Sequence, residues 1–174
     1  MHGRASRTTR VILLGTAGGP DVRSRTGTAV VIDVGGTLYR VDFGIGSSVQ
    51  FMRADLDPGA VRAGFVTHLH SDHIAELYTF FTANWYYQQD SVPLYGPPPD
   101  PRLDLTDGRP VIAPDAPTPG LAETLRAFQR AFAYDNNIRV RDESMPDLLA
   151  PVPGKPGLRP IELAPDLVPG ARVY

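Results

Sequence analysis

The alternation of apolar and polar positions predicts strands over the first seventy residues of this chain and helix directly after them. Val11 to Leu14 is a short apolar run closed by Gly15-Thr-Ala-Gly-Gly-Pro20, the pattern of a buried strand ending in a tight turn. Thr28 to Val34 is rich in β-branched residues, Gly35-Gly36 supplies a hairpin turn, and Leu38 to Phe43 predicts the returning strand. A short helix is expected from about Ser47 to Arg53, capped by Ser47 or Ser48 and broken at Asp57-Pro58-Gly59. Val61 to Thr67 predicts a further strand.

The period then changes. Ile74, Leu77, Tyr78, Phe81 and Trp85 recur at helical spacing and predict one amphipathic helix from about His73 to Gln88, with Asp72 as its N-cap and Trp85 in the core. Val92 to Tyr95 predicts a strand. Residues 97–120, dense in Pro, Asp and Gly, read as a long surface loop. Leu121, Leu125, Phe128 and Phe132 predict a second helix ending near Asp135-Asn-Asn137, and Leu158 to Leu163 a short strand among prolines. Only Pro20 and Pro58 of the 18 prolines precede Ser91, so the two parts of the chain differ in character. Residues 1–9 read as a flexible tail and 10–174 as a portion of one domain, with Val173-Tyr174 resembling the start of a strand.

Composition narrows the function classes. At 42% hydrophobic and 21% charged, the 174 residues suit one globular domain or a large part of one. A net charge of −2 gives no electrostatic reason to expect nucleic-acid binding, and Arg4, Arg7 and Arg10 read as a solvated terminus. The absence of cysteine excludes disulfides and thiolate metal sites. Val11 to Leu14 is too short for a signal segment, and no run approaches the ~20 apolar residues of a membrane span. A cytoplasmic protein without membrane association is the expectation.

The candidate chemistry lies between the strand at 61–67 and the helix that follows. His68-Leu-His70-Ser-Asp72-His73 gathers three of the four histidines and a carboxylate, the N and O ligands that Zn²⁺ accepts. In an extended segment His68 and His70 share a face and can converge on one ion; Asp72 continues that face. His73 points elsewhere unless the chain turns at Ser71-Asp72, in which case Asp72 and His73 can address a second ion.

A strand, then HxHxDH, then a helix, after a glycine-bounded meander, resembles the N-terminal half of a metallo-β-lactamase-fold hydrolase. Leu13 to Pro20, Val41-Asp-Phe-Gly44, Val66 to His73 and Tyr95-Gly96-Pro97 resemble most its ribonuclease Z and arylsulfatase-like branch. The resemblance implies an α+β fold, a four-layer αββα sandwich, here truncated to its N-terminal half. It implies one or two Zn²⁺ ions (Mn²⁺ or Fe²⁺ being possible), with His68 and His70 on the first and Asp72 and His73 on the second. A metal-bound hydroxide would hydrolyse a phosphodiester, a sulfate ester or a similar substrate, Asp72 orienting it. Asp42 is expected to hydrogen-bond the motif loop or a ligand imidazole. Family members complete both sites with a later histidine, a bridging aspartate and a last histidine. No histidine follows His73, and Asp104, Asp107, Asp115, Asp135 and Asp147 stand in no recognisable strand-end context. The chain alone is therefore expected to bind metal weakly and to be inactive; the alternative is a non-catalytic remnant, a binding or oligomerisation module. With no basic patch, a small-molecule ester is expected as substrate rather than RNA. An uncovered sheet face would favour a homo-oligomer or association with a complementary C-terminal half.

Overall fold

A computed structural model describes residues 8–19, 23–100, 107–150 and 152–163. Arg4, Arg7, Asp104 and the strand start at Val173-Tyr174 lie outside these residues.

Six strands form one sheet in sequence order: β1 (Thr9–Gly15), β2 (Ala29–Val34), β3 (Thr37–Val41), β4 (Val61–Phe65), β5 (Ser91–Gly96) and β6 (Gly157–Glu162). The first three run antiparallel, and β3 through β6 run parallel. β2 and β3 meet at Val34 and Thr37 across Gly35 and Gly36, whose φ values of 59° and 88° give the primed turn that a two-residue hairpin requires. The predicted strands at 11–14, 28–34, 38–43, 61–67, 92–95 and 158–163 each correspond to one of these. β1 begins at Thr9, inside the expected tail, because Arg10 reaches across the hairpin. Its guanidinium bonds the nearly buried Asp33 carboxylate at 2.5 and 3.0 Å, so Arg10 is paired rather than free in solvent.

One face of the sheet is dry. Leu14, Ala29, Val31, Leu38, Val61, Leu94 and Leu158 join Phe51 of α1 (Ser47–Arg53), Leu77, Phe80 and Phe81 of α3 (Leu77–Ala83), and Leu121 and Leu125 of α4 (Leu121–Ala131) in a single core cluster with Trp85. The opposite face carries apolar side chains that remain partly open. One row crosses all six strands, Leu13–Val30–Val41–Phe65–Tyr95–Ile161, as cross-strand partners. Leu13 is 65% exposed, and Phe65 stacks on Tyr95 at 5.2 Å.

The helices depart from the sequence expectation in three places. The single helix expected from His73 to Gln88 is interrupted: α2 covers only Ser71–Ile74, α3 follows, and Trp85–Tyr87 is a separate turn. The interruption has a backbone cause. Phe43 N–H donates to the His73 carbonyl at 2.7 Å, and Glu76 N–H donates to the Phe43 carbonyl at 2.8 Å, so the strand end takes two groups that a continuous helix would use. The second helix, expected to end near Asp135-Asn-Asn137, is divided as well: α4 ends at Ala131, and α5 (Ala133–Arg141) runs past that point, with Asn136 donating to the Tyr78 hydroxyl at 2.6 Å and Asp135 paired with Arg139. Ser47 and Ser48 do not cap α1. Its N-cap is Gly46, and the amides of Gly46 and Ser48 are met by the Glu76 carboxylate at 2.6 and 2.7 Å. Between Gly96 and Leu121 no helix or strand occurs among the described residues, and none of the described helices is long and apolar enough to cross a membrane.

Asp33 gives the fold a measurable acid sensitivity. Arg10 beside it, and the Gly36 amide donating to Oδ1 at 2.7 Å, hold its carboxyl below the usual carboxylate range. A depressed folded pKa contributes stability above the unfolded value of about 4, and that stability is lost as pH falls through the folded pKa. Urea unfolding at pH 3 and pH 6 is expected to show a smaller difference for Asp33→Asn than for the native chain; an equal difference would contradict the assignment.

Candidate metal centre

The site is assembled where β3 and β4 end side by side. Asp42, one residue past β3, donates its N–H to the Phe65 carbonyl at 2.8 Å and then turns sharply, with φ at 57°. Left-handed backbone is uncommon outside glycine, and Asp is among the residues that tolerate it. Gly44 follows because nothing larger fits: an added Cβ there would stand 2.5 to 2.7 Å from backbone atoms of Gly27, Thr28 and Asp72. These turns bring the Asp42 carboxylate beneath the loop that leaves β4.

That loop carries the motif. His70 is extended (φ −68°, ψ 147°), and the rings of His68 and His70 lie 4.7 Å apart, as residues two apart in an extended segment should. The chain then turns, since α2 begins at Ser71, and the His73 ring comes to 3.9 Å from that of His68. All three imidazoles form one cluster. Asp72 lies inside the first turn of α2 rather than at its cap; His70 holds the cap position, with no side-chain cap bond. The Asp72 carboxylate instead accepts the Gly19 N–H at 2.7 Å, with Oδ2 at 3.6 Å from His73 Nε2.

Asp42 organises the cluster. Its Oδ1 accepts the Thr67 N–H at 2.9 Å, and its Oδ2 meets the Thr67 hydroxyl and His73 Nδ1, both at 2.8 Å. A hydroxyl has one proton. With that proton on Asp42, Thr67 Oγ1 can only accept from His68 Nδ1, 3.1 Å away. The hydrogen-bond network therefore assigns the Nδ1–H tautomer to both His68 and His73, leaving each Nε2 with a lone pair.

Protonation points the same way. Partial burial, then the neighbouring His73 and His70, push the His68 imidazole below its ordinary pKa, towards the neutral ligating form. The Gly19 amide holds the Asp72 carboxyl below its usual range. Among the described residues no group of three or more His, Asp or Glu side chains stands at ligating geometry. The fit to a divalent cation is one of donor type, protonation and proximity. Of the downstream aspartates, Asp107, Asp135 and Asp147 bond Arg109, Arg139 and Gln129.

Four contributors escape the sequence reading. Thr67 relays between His68 and Asp42, and Gly19 reaches Asp72 from the turn after β1. Arg40 is fully buried in β3, donating to Ser47 Oγ at 2.6 Å and to the Asp42 carbonyl at 3.3 Å, with its guanidinium 4.4 and 4.1 Å from the Phe43 and Phe80 rings. Burial pushes its pKa down to about 9, which still leaves it charged at neutral pH. A charge at an inward position of a strand is a signal that could have revealed it. The fourth is a cavity of about 370 Å³ beside His68 and His70, walled on its other side by Pro97, Pro98, Pro117 and Pro119.

Comparison with known proteins agrees with this architecture. The sequence profile of the metallo-beta-lactamase superfamily matches residues 22–125. The chain is 35% identical over 145 residues to a protein named ribonuclease Z from Mycobacterium sp. (strain KMS), a match covering 82% of this chain and 43% of that protein. It is 33% identical over 89 residues to ribonuclease Z of Methanosarcina mazei, covering 51% and 29% of the two chains. The chain thus spans less than half the length of these relatives. Among solved structures, the short form of human tRNase Z aligns with a TM-score of 0.54 at 24% identity, covering 72% of this chain and 40% of that one. The metallo-beta-lactamase fold protein YhfI from Bacillus subtilis aligns with a TM-score of 0.54 at 18% identity, covering 91% and 47%. At those identities the structures speak for the fold alone.

The expectation of a small-molecule ester in preference to RNA is corrected by these relatives, which are named as ribonucleases. It rested on the lack of a basic patch and the net charge of −2 in these 174 residues. A basic surface elsewhere in a longer protein would leave no trace in that number.

Asp42 is the residue whose loss should be felt most. Replacing it by Ala removes a buried acceptor of several hydrogen bonds and puts a less tolerant residue at positive φ, which should cost about 2–4 kcal/mol. Asp42→Asn, which tolerates the backbone and keeps an acceptor, should cost less. Chemical denaturation of both variants checks the order, and an Ala variant as stable as the native chain would refute it.

Proposed function

Because the chain belongs to the metallo-beta-lactamase superfamily, we propose that it supplies the metal-holding part of a metal-dependent hydrolase acting on RNA phosphodiesters. The observation that carries this reading is the clustering of three imidazoles and a carboxylate over Asp42, at the ends of two parallel strands. The ribonuclease names of its relatives support the substrate class. The same reading assigns the protein to the cytoplasm.

His68, His70, Asp72 and His73 would hold the ion or ions. Zn²⁺ suits the imidazole-rich donor set best, with Mn²⁺ and Fe²⁺ also compatible with N and O ligands. When bound, such an ion supplies a water whose pKa falls from 15.7 to about 7, together with positive charge to offset that of the phosphate. The protein's own residues do the rest. Asp42 fixes the His73 ring through Nδ1 and, through Thr67, the His68 ring, so both Nε2 atoms keep their lone pairs. Gly19 keeps the Asp72 carboxylate ionised and in place, and Asp72 can accept the hydrogen bond of an attacking water. The Glu76 carboxylate ties α1 to the end of the motif helix and so limits the freedom of the loop.

Within these 174 residues no histidine follows His73, and the cluster offers four donors from a single loop. Catalytic zinc sites generally use three well-placed protein ligands. The isolated chain is therefore expected to bind metal weakly and to cleave RNA little or not at all. Isothermal titration with Zn²⁺ should show weak binding to the native chain and none to the His68→Ala/His70→Ala double variant. Two tightly held ions per chain, or binding that survives the double substitution, would overturn the assignment.

A further inference from the structure

We infer that the cleft between the motif loop and the proline-rich segment is a nucleoside subsite, receiving one base and its ribose beside the His68–His70 pair. The inference rests on the RNA-hydrolase reading for its substrate class, and on the cleft itself for its shape.

The cleft shares His68 and His70 with the candidate metal centre, so whatever fills it abuts the reacting group. At about 370 Å³ it lies near the small end of ligand cavities, which run from about 300 to 1,000 Å³. That suits one planar base with its sugar, and not an extended strand.

Its wall is built to stay in place. Leu121 N–H donates to the Pro97 carbonyl at 3.0 Å, and Asp100 N–H donates to the Thr118 carbonyl at 3.1 Å. Thr118 returns a bond from its hydroxyl to the Asp100 carbonyl. The Pro97-Pro98 and Pro117–Pro119 stretches are thereby clamped to each other, and each proline has its φ fixed by its ring. Leu94, three residues before this wall, is fully buried, which anchors the β5 end. Prolines offer flat apolar ring faces with no N–H donor, surfaces against which a heteroaromatic face can pack. Leu69 and Ile74 supply the facing apolar side.

The polar lining is sparse and selects further. Thr118, Thr124 and Asp100 are among the lining residues, the Thr118 hydroxyl being taken up by the Asp100 carbonyl. Among the described residues that line the cleft there is no Lys or Arg. The mainly apolar described lining suits the uncharged part of a nucleotide, whose base face can be buried against proline, Leu69 and Ile74 without desolvating a charge of its own. The anionic linkage is left to the histidine side, and the base and ribose to the proline side.

The probe is 2-aminopurine riboside, neutral and fluorescent, titrated into the native chain in the presence of EDTA. Saturable quenching is expected, weakened at least tenfold in Thr124→Tyr, which fills the cleft from α4. Should that variant unfold, the native chain still decides the matter: intermolecular NOEs must connect the base protons to Ile74 methyl and Pro117 or Pro119 ring protons. Absence of saturable quenching, undiminished binding to folded Thr124→Tyr, or NOEs to other residues would each overturn the subsite. The titration needs no metal, so it fails or succeeds separately from the hydrolase reading. Saturable nucleoside binding in a chain that takes up no Zn²⁺ would uphold the subsite and count against the hydrolase reading, and the reverse result would remove the subsite alone.

Discussion

The site depends on one carboxylate held in an uncommon backbone conformation. Asp42 sits at φ 57°, almost fully buried, and its two oxygens accept from the Thr67 amide, the Thr67 hydroxyl and the His73 imidazole. Bonds to a buried charge are stronger than neutral ones, about 1.5–3 kcal/mol each against about 1, and they lose little to solvent competition. The same carboxylate thus stabilises the turn at the end of β3, joins it to the exit of β4, and sets which nitrogen of two histidines carries a proton. Fold and chemistry meet at this residue.

The neighbouring interactions keep that residue where it is. Phe43, directly after it, exchanges backbone hydrogen bonds with His73 and Glu76, splicing the strand end into the motif helix. Gly44 allows three backbone segments to meet at a distance that excludes a side chain. Behind them Arg40, pressed between Phe43 and Phe80, bonds Ser47, which in turn lies against the Glu76 carboxylate capping α1. A buried guanidinium is costly to desolvate, and its cost is offset here by aromatic faces and by the nearby carboxylate. The loop bearing His68 and His70 therefore issues from a frame fixed on both sides.

How much of this was legible in the sequence depends on the range of the interaction. The strands were readable because alternation and β-branching are local, and the Gly35-Gly36 turn because its chemistry is specific. The His68–His70 pairing followed from the two-residue period of extended chain. The condition attached to His73, a turn at Ser71-Asp72, is met by the start of α2. What failed were the helix limits and caps that depend on a partner distant in sequence. The helix through residues 73–88 is broken by Phe43, thirty residues upstream. The Ser47 hydroxyl is taken by Arg40, and Asn136, inside α5, donates through Nδ2 to the Tyr78 hydroxyl. Asp72 has the composition of a cap and the position of a first-turn residue bound to Gly19. The preference for a small substrate failed for a different reason: charge is a property of a whole surface, and the chain spans less than half of its relatives.

The central claim is that Asp42 determines the protonation pattern of the histidine cluster. Long-range ¹H–¹⁵N correlation spectra of the metal-free chain at pH 7.5, with histidine labelled by ¹⁵N, read that pattern directly. His68 and His73 should both appear as the Nδ1–H tautomer in the native chain, and His73 should lose that preference in Asp42→Ala. Nε2–H tautomers in the native protein, or a His73 tautomer indifferent to the loss of Asp42, would contradict the account.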